Sequence, residues 1–198
     1  SLDKVNTGKD IKPGNLIIGL ASSGVHSNGL TLARRVLLGD SMEEQKSRVN
    51  DYEEFLGQTL GEALLEPTRI YVKPIMEMLD SGIDLKAMVH ITSGGFCNPN
   101  RVECDNIRFV IDTLQPVPEI FNLIQDRGGV SEAEMFEVFN MGTGFCLVVE
   151  GTNEVEAVTE ICKNNDLSCQ LIGQVEGCQG KEVSLPQKQL TGKGSRFT

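Results

Sequence analysis

Leu16-Ile17-Ile18-Gly19-Leu20-Ala21-Ser22-Ser23-Gly24-Val25-His26-Ser27-Asn28-Gly29 decides how this chain is read. Leu16 to Leu20 is a short apolar run before turn residues and predicts a buried strand. After it, Leu30, Ala33 and Leu37 recur at helical spacing, and Gly39 fits a C-cap. A strand, a small-residue turn and a helix start aim several backbone N–H groups at one spot. The helix macrodipole adds partial positive charge there, so the turn suits an anion, above all a phosphate. Ser23, Gly24, Ser27, Asn28 and Gly29 are the candidate contacts, with His26 among them. No Gly-Lys-Ser/Thr ending is present, so this is not a Walker A loop. The glycine spacing also excludes a dinucleotide fingerprint.

The pattern repeats downstream. Lys86 to Ile91 reads as a strand and runs into Thr92-Ser93-Gly94-Gly95, with His90 at the mouth of the turn. The chain has two histidines, and both stand beside a glycine-containing turn after a strand. That coincidence makes His26 and His90 the candidate catalytic pair, since imidazole exchanges protons near neutral pH. The alternative is two structural, hydrogen-bonded histidines.

The remaining segments supply the frame. Asp40 to Gly57 is charged and predicts an exposed loop with a partial helix. Thr59 to Leu65 predicts a short helix stopped by Pro67, and Thr68 is expected to cap a longer one ended by Gly82. In that helix Val72, Ile75, Met76 and Leu79 form a stripe expected to face the core. Ile107 to Ile111 predicts a strand, and Ile120, Leu123 and Ile124 the inner face of a helix that Gly128-Gly129 breaks. Ser131 to Glu134 has the form of a capping box. Asn140 to Gly144 predicts a tight turn into the strand Phe145 to Val149, and Asn153 caps a further helix. Gln170 to Val175 and Glu182 to Leu185 are expected to form a closing hairpin. Residues 186–198 read as a polar, disordered tail after a single domain over residues 1–185. Strands and helices intermix without strict alternation, which predicts an α+β fold with a mixed sheet covered by helices.

The 198 residues suffice for one full core, and the net charge of -10 excludes a counterion-releasing nucleic-acid surface. A local loop still holds an anion on an acidic protein. The six cysteines form no C-x-x-C pair, so reduced thiols in a cytoplasmic protein are expected, with no metal site. No apolar run approaches the ~20 residues of a membrane helix. The chain opens on Ser1-Leu2 without methionine, so upstream sequence is expected.

Four stretches carry a family resemblance: Gly19 to Gly29, Glu66-Pro67-Thr68-Arg69-Ile70-Tyr71-Val72-Lys73, His90-Ile91-Thr92-Ser93-Gly94-Gly95-Phe96, and Phe139-Asn140-Met141-Gly142-Thr143-Gly144. Together they resemble the C-terminal domain of the aminoimidazole ribonucleotide synthetase family, the phosphoribosylformylglycinamidine cyclo-ligases. The resemblance implies a three-layer α/β/α unit facing an N-terminal ATP-binding domain that is absent here. It implies conversion of formylglycinamidine ribonucleotide and ATP to aminoimidazole ribonucleotide, ADP and phosphate, with ATP and Mg2+ held mostly by the other domain. It also implies a ribonucleotide substrate, a homodimer at full length, and a fragment that is inactive alone. Thr92, Gly94 and Gly95 would line the cleft, and Arg69 would clamp a phosphate, or else pair with a carboxylate or cap a helix. Asn140 would touch the ligand or shape its turn. Ser93 stands where the family usually has glycine, and Cys97 to Asn100 drift from its pattern. That departure opens the alternative of a divergent, non-catalytic or altered-substrate relative that binds a phosphorylated ligand.

Overall fold

The computed structural model describes residues 6–198. Its eight-stranded sheet runs β10-β9-β8-β5-β7-β1-β6-β4. These strands are β1 Leu16–Ala21, β4 Ala87–His90, β5 Ile107–Ile111, β6 Thr143–Val149, β7 Cys169–Gly177, β8 Lys181–Leu185, β9 Leu190–Lys193 and β10 Arg196–Phe197. β1 is central and pairs antiparallel with both β6 and β7, while β5 and β8 form a parallel pair. A two-stranded ribbon, β2 Tyr52–Glu53 and β3 Gln58–Thr59, lies apart.

Side-chain alternation along the central strands makes two cores. Ile17, Cys146 and Val148 enter one; Ile18, Leu20, Leu147 and Val149 enter the other. The first core is closed by α1 Leu30–Leu38, α3 Leu60–Leu65, α5 Glu119–Gly128 and α6 Glu132–Val138. The second is closed by α4 Val72–Asp80 and α7 Thr152–Asn164. α2, Met42–Arg48, buries no residue and is held by a reciprocal box between Ser41 and Glu44. The strands of a sheet buried on both faces read as apolar runs, which is why Leu16 to Leu20 shows no alternation. The expected three-layer α+β fold is therefore present.

Several local expectations change. The segments β7 and β8 are not a hairpin, because β5 lies between them and pairs with both. Insertion gives β5, which buries Ile107, Phe109 and Ile111, hydrogen-bonded neighbours on each edge. Nothing local to β7 and β8 reports that. Residues 186–198, expected to be a disordered tail, form a 3-10 turn at Pro186–Lys188 followed by β9 and β10. One aromatic anchors them: Phe197 is buried, and its N–H donates to Glu137 Oε1 at 2.6 Å. A single buried ring and edge pairing outweigh a polar composition. Finally, α4 begins at Val72, and the face it buries carries Pro74 and Met78. Val72, Met76 and Leu79, expected inside, are exposed at 68%, 49% and 40%.

Candidate functional site

Two turns distant in sequence open at the same end of the sheet. β1 and β4 both run antiparallel to β6, and Phe145 of β6 stands opposite both Leu20 and His90. The C-terminal ends of β1 and β4 therefore flank one strand and deliver the turns Ser22–Gly29 and Thr92–Gly95 side by side.

Asn28 joins them. Its Nδ2 donates to Thr92 Oγ1 at 2.5 Å, and its Oδ1 accepts from Ser93 Oγ at 3.0 Å. Ser93 lies outside the left-handed region and is exposed, so a side chain fits where the resemblance led to glycine. Asn98, 2% exposed, braces the second turn from below. Its Oδ1 accepts from the Thr92 N–H at 2.7 Å, and its Nδ2 donates to the Ser93 carbonyl at 3.0 Å. Gly94, at φ 100, starts the 3-10 helix Gly95–Arg101. A cavity of about 390 Å³ opens beside His90, Thr92, Asn98 and Arg101.

The first turn is held by the segment Glu66–Ile70. Ser23 Oγ donates to the Pro67 carbonyl at 2.6 Å, and Ser27 Oγ meets Thr68 Oγ1 at 3.4 Å. The Arg69 N–H points to His26 Nε2 at 3.5 Å. These contacts explain why Thr68 caps no helix: its hydroxyl and the backbone around it serve the turn, and helix starts only at Val72. The Arg69 guanidinium donates to the Asp166 carbonyl at 3.2 Å, just beyond the end of α7. Among the described residues the protein contact of this guanidinium is at a helix end, with no carboxylate paired to it.

His26 is 6% exposed and sits at φ 62. Its Nε2 accepts from the Ser23 N–H at 3.1 Å as well as from Arg69, so the ring proton belongs on Nδ1. Burial, then the nearby His90 and Arg69, push its pKa down to about 4. At neutral pH His26 is uncharged, and its Nδ1–H is buried without a protein partner among the described residues. His90 is exposed at the end of β4, stacked at 5.8 Å on Phe145, and its pKa is lowered by partial burial.

Asn140 is 4% exposed and fully engaged. Its Nδ2 donates to the carbonyls of Gly24 (2.8 Å) and Val25 (3.2 Å), and its Oδ1 accepts from the Gly142 N–H (3.0 Å). It shapes the turns rather than facing a ligand. Gly29 is the N-cap of α1 at φ 75, and an added Cβ would lie 2.3 Å from Phe139 Cε1. Its lack of a side chain serves packing. Among the described residues, the N–H groups of Gly24, Val25, His26 and Ser27 find no protein acceptor; Gly24, Val25 and His26 are buried and Ser27 is exposed. The α1 N-terminus lies just beyond them without a side-chain cap.

A family model described as AIR synthase related protein, C-terminal domain, matches residues 12–186. The chain belongs to this family. Relatives named phosphoribosylformylglycinamidine cyclo-ligase agree. That of Methanocaldococcus jannaschii is 45% identical over 175 residues, covering 87% of this chain and 48% of the relative. That of Bacillus licheniformis is 44% identical over 180 residues, covering 90% and 50%. The chain thus spans about half the length of the curated relatives it matches, their C-terminal half. The fold is shared with T. maritima PurL complexed with FGAR (TM-score 0.52, 13% identity, 94% of this chain and 28% of that one). It is shared also with E. coli HypE, a hydrogenase maturation protein (TM-score 0.52, 17% identity, 94% and 51%). Among the described residues no helix is long and apolar enough to cross a membrane.

In this AIR synthase related domain, sequence reading missed Tyr71 as a site residue. Its ring lies between the histidines, 6.4 Å from His26 and 6.2 Å from His90, and its hydroxyl donates to the Ala21 carbonyl at 2.9 Å. Gly144 makes room, since a Cβ there would fall 2.0 Å from Tyr71 Oη. Asn98 was missed too, because its stretch departs from the family pattern. A signal existed in both cases: an aromatic in a matched motif, and a polar residue set between the apolar Phe96-Cys97 and Pro99.

The neutral His26 predicts a pH dependence. The unfolded imidazole titrates near 6.5 and the folded one at about 4, so the unfolded chain binds the proton first as pH falls. His26 stabilisation is complete above pH 6.5 and is lost on the way down to 4, in total on the order of 3 kcal/mol. Urea unfolding at pH 7.5 and 4.5 should show this loss in the native chain and a smaller one in His26→Gln, whose amide oxygen can still accept the turn N–H groups. Equal losses in the two chains would refute the assignment.

Proposed function

We propose that this chain is the C-terminal half of an ATP-dependent cyclo-ligase that turns formylglycinamidine ribonucleotide into aminoimidazole ribonucleotide. The carrying observation is the run of unengaged N–H groups from Gly24 to Ser27, ahead of an uncapped helix and beside His26 and His90. Such a run of N–H groups binds a phosphate without needing net positive charge. Ser23 and Asn28 hold the turns in place, and Thr92, Ser93 and Gly94 form the opposite wall. His26, neutral, holds the turn by accepting the Ser23 and Arg69 N–H groups at Nε2. His90, more accessible, is the group placed to move a proton as the ring closes.

ATP activates the formyl oxygen by phosphorylating it. Around the turns stand hydroxyls, amides, imidazoles and one carboxylate, Glu66 beside Gly24, whereas Mg2+ takes several carboxylate, water and phosphate oxygens. Among the described residues no three carboxylate, imidazole or thiol groups gather to hold the ion, so in this reading metal and ATP belong to the N-terminal half, and the isolated chain is inactive. The exposed Ile70, Val72, Met76 and Leu79 follow directly on the turn-bracing segment and are the apolar face that half would cover. Ser93 supports retained rather than lapsed geometry, because its hydroxyl bonds to Asn28 without displacing the turn.

Amide and imidazole NMR during titration with aminoimidazole ribonucleotide tests the reading, with ribose 5-phosphate and sulfate as controls. Saturable shifts are expected at Gly24 to Ser27 and at both histidines, at lower concentration for the ribonucleotide than for sulfate. Equal response to all three leaves only an anion loop, and silence at millimolar ligand removes the site.

A further inference from the structure

A cavity of about 450 Å³ opens where α1, α2 and α3 meet. It shares no residue with the two histidine turns or the segments that brace them. Leu30, Arg34 and Leu38 stand four residues apart and so line it from one face of α1. On the other side, Leu64 and Leu65 end α3, and Val49 is the C-cap of α2. Gly61 lets α3 come up against that cap. Its N–H donates to the Val49 carbonyl at 2.8 Å, and a Cβ there would fall 2.6 Å from Val49 Cγ2.

α2 forms one wall although it buries no residue. Polar ties hold it there. The Arg34 guanidinium donates to Gln45 Oε1 at 2.7 Å, and Gln45 Nε2 donates to the Gly39 carbonyl at 3.0 Å. Leu65, 79% exposed, keeps its side chain in water.

Charge narrows what such a cavity takes. The charged groups that line it are Arg34 and Lys46, with no carboxylate among them, in a chain of net charge -10. Among the described residues neither cation is in an ion pair. The carboxylates of Glu44 on α2 and Glu62 on α3 are engaged at the helix starts by Ser41 and Thr59. Cavities for small molecules have mostly apolar walls and a few polar groups that fix orientation. Leucine and valine walls with two unpaired cations match an apolar body with a negative head.

We propose that this cavity binds a small amphiphilic anion of the medium-chain carboxylate class. Its tail lies against Leu30, Leu38 and Leu64, and its head between Arg34 and Lys46. The tail leaves water for apolar surface, and the head gains charge-assisted contacts from two cations.

Methyl and amide NMR on the whole chain at pH 7.5 tests this, with octanoate, 1-octanol and octylammonium as probes. Octanoate should give saturable shifts at the methyls of Leu30, Val49 and Leu64. It should bind about fivefold tighter than 1-octanol, with octylammonium weakest. Lys46 is exposed and its side chain has no hydrogen bond among the described residues, so Lys46→Glu should fold normally. That variant should weaken octanoate at least about threefold and leave 1-octanol unchanged. The proposal does not rest on the cyclo-ligase reading, and its signals are separate from those of Gly24 to Ser27. Shifts confined to Gly24 to Ser27 would put the carboxylate in the first turn and overturn the proposal. Equal binding of the three probes would overturn the anionic head. Movement of the Leu65 methyls with protein concentration alone would mean that a second copy covers the cavity, and would overturn the small-molecule occupant. Silence at millimolar octanoate would remove the site.

Discussion

Gly95→Ala should unfold or nearly unfold this domain, with a loss of at least about 4 kcal/mol. Gly95 sits at φ 51, and a Cβ there would lie 1.9 Å from the Phe136 carbonyl oxygen and 2.8 Å from its carbon. Those atoms are backbone of α6, whose Phe136 and Met135 are fully buried, so the obstacle cannot swing aside. The left-handed backbone adds about 1 kcal/mol for any L side chain. Gly94→Ala is the informative comparison. Gly94 also has positive φ, but its Cβ would meet the ends of the Asn98 and Arg101 side chains. We expect a loss of about 1 to 2 kcal/mol there, from strain and from loosening the Asn98 brace. Urea unfolding of the three chains decides. Equal losses at the two positions would mean that contact with α6 is not what demands glycine.

Asn140→Asp should be the second most damaging change, although it alters one atom. The Asn140 Nδ2 faces two carbonyl oxygens while its Oδ1 takes the Gly142 N–H. A carboxylate keeps the last bond and turns the first two into repulsions in a buried site. At pH 7 the expected loss is about 3 kcal/mol, the scale of an uncompensated buried charge. A protonated carboxyl can donate again, so the folded-state pKa of the new Asp lies above its unfolded value near ~3.9. The deficit relative to the native chain must therefore be smallest below the unfolded pKa and grow as pH rises through the folded one. This is opposite in sign to the His26 effect, which makes the two separable. The turn between Ser22 and Gly29 should loosen with it, and the ribonucleotide-induced shifts at Gly24 to Ser27 should weaken in parallel. A pH-independent deficit would show that Asn140 acts by shape alone.

The effects at Gly95 and Asn140 have different standing in the sequence. Gly95 belongs to a run, Thr92 to Gly95, that marks a turn by composition, yet the atom that forbids a Cβ comes from Phe136, a residue of another helix. Asn140 was legible as a turn residue next to Gly142, but its partners Gly24 and Val25 are more than a hundred positions away. Local pattern reports which residues have turn chemistry, and only the folded chain reports which turns meet.

What the sequence by itself determined is local and periodic. β1, α1 and β5 begin and end within a residue of where apolar spacing and glycine stops place them. The two strand-to-turn units with their histidines were readable from composition, and four short motifs carried the family. The tertiary structure decided the rest. Strand order is set by which edges find partners, so β5 entered between β7 and β8 against the local hairpin signal. The face α4 buries is set by the layer beneath it, so Met78 went in and Val72 stayed out. The last residues became strands because one pocket accepted Phe197. The charge of His26 was decided the same way. A histidine reads as a switch near neutral pH, but two backbone N–H donors and burial hold this one neutral, and those donors come together only when Glu66–Ile70 folds back onto the first turn.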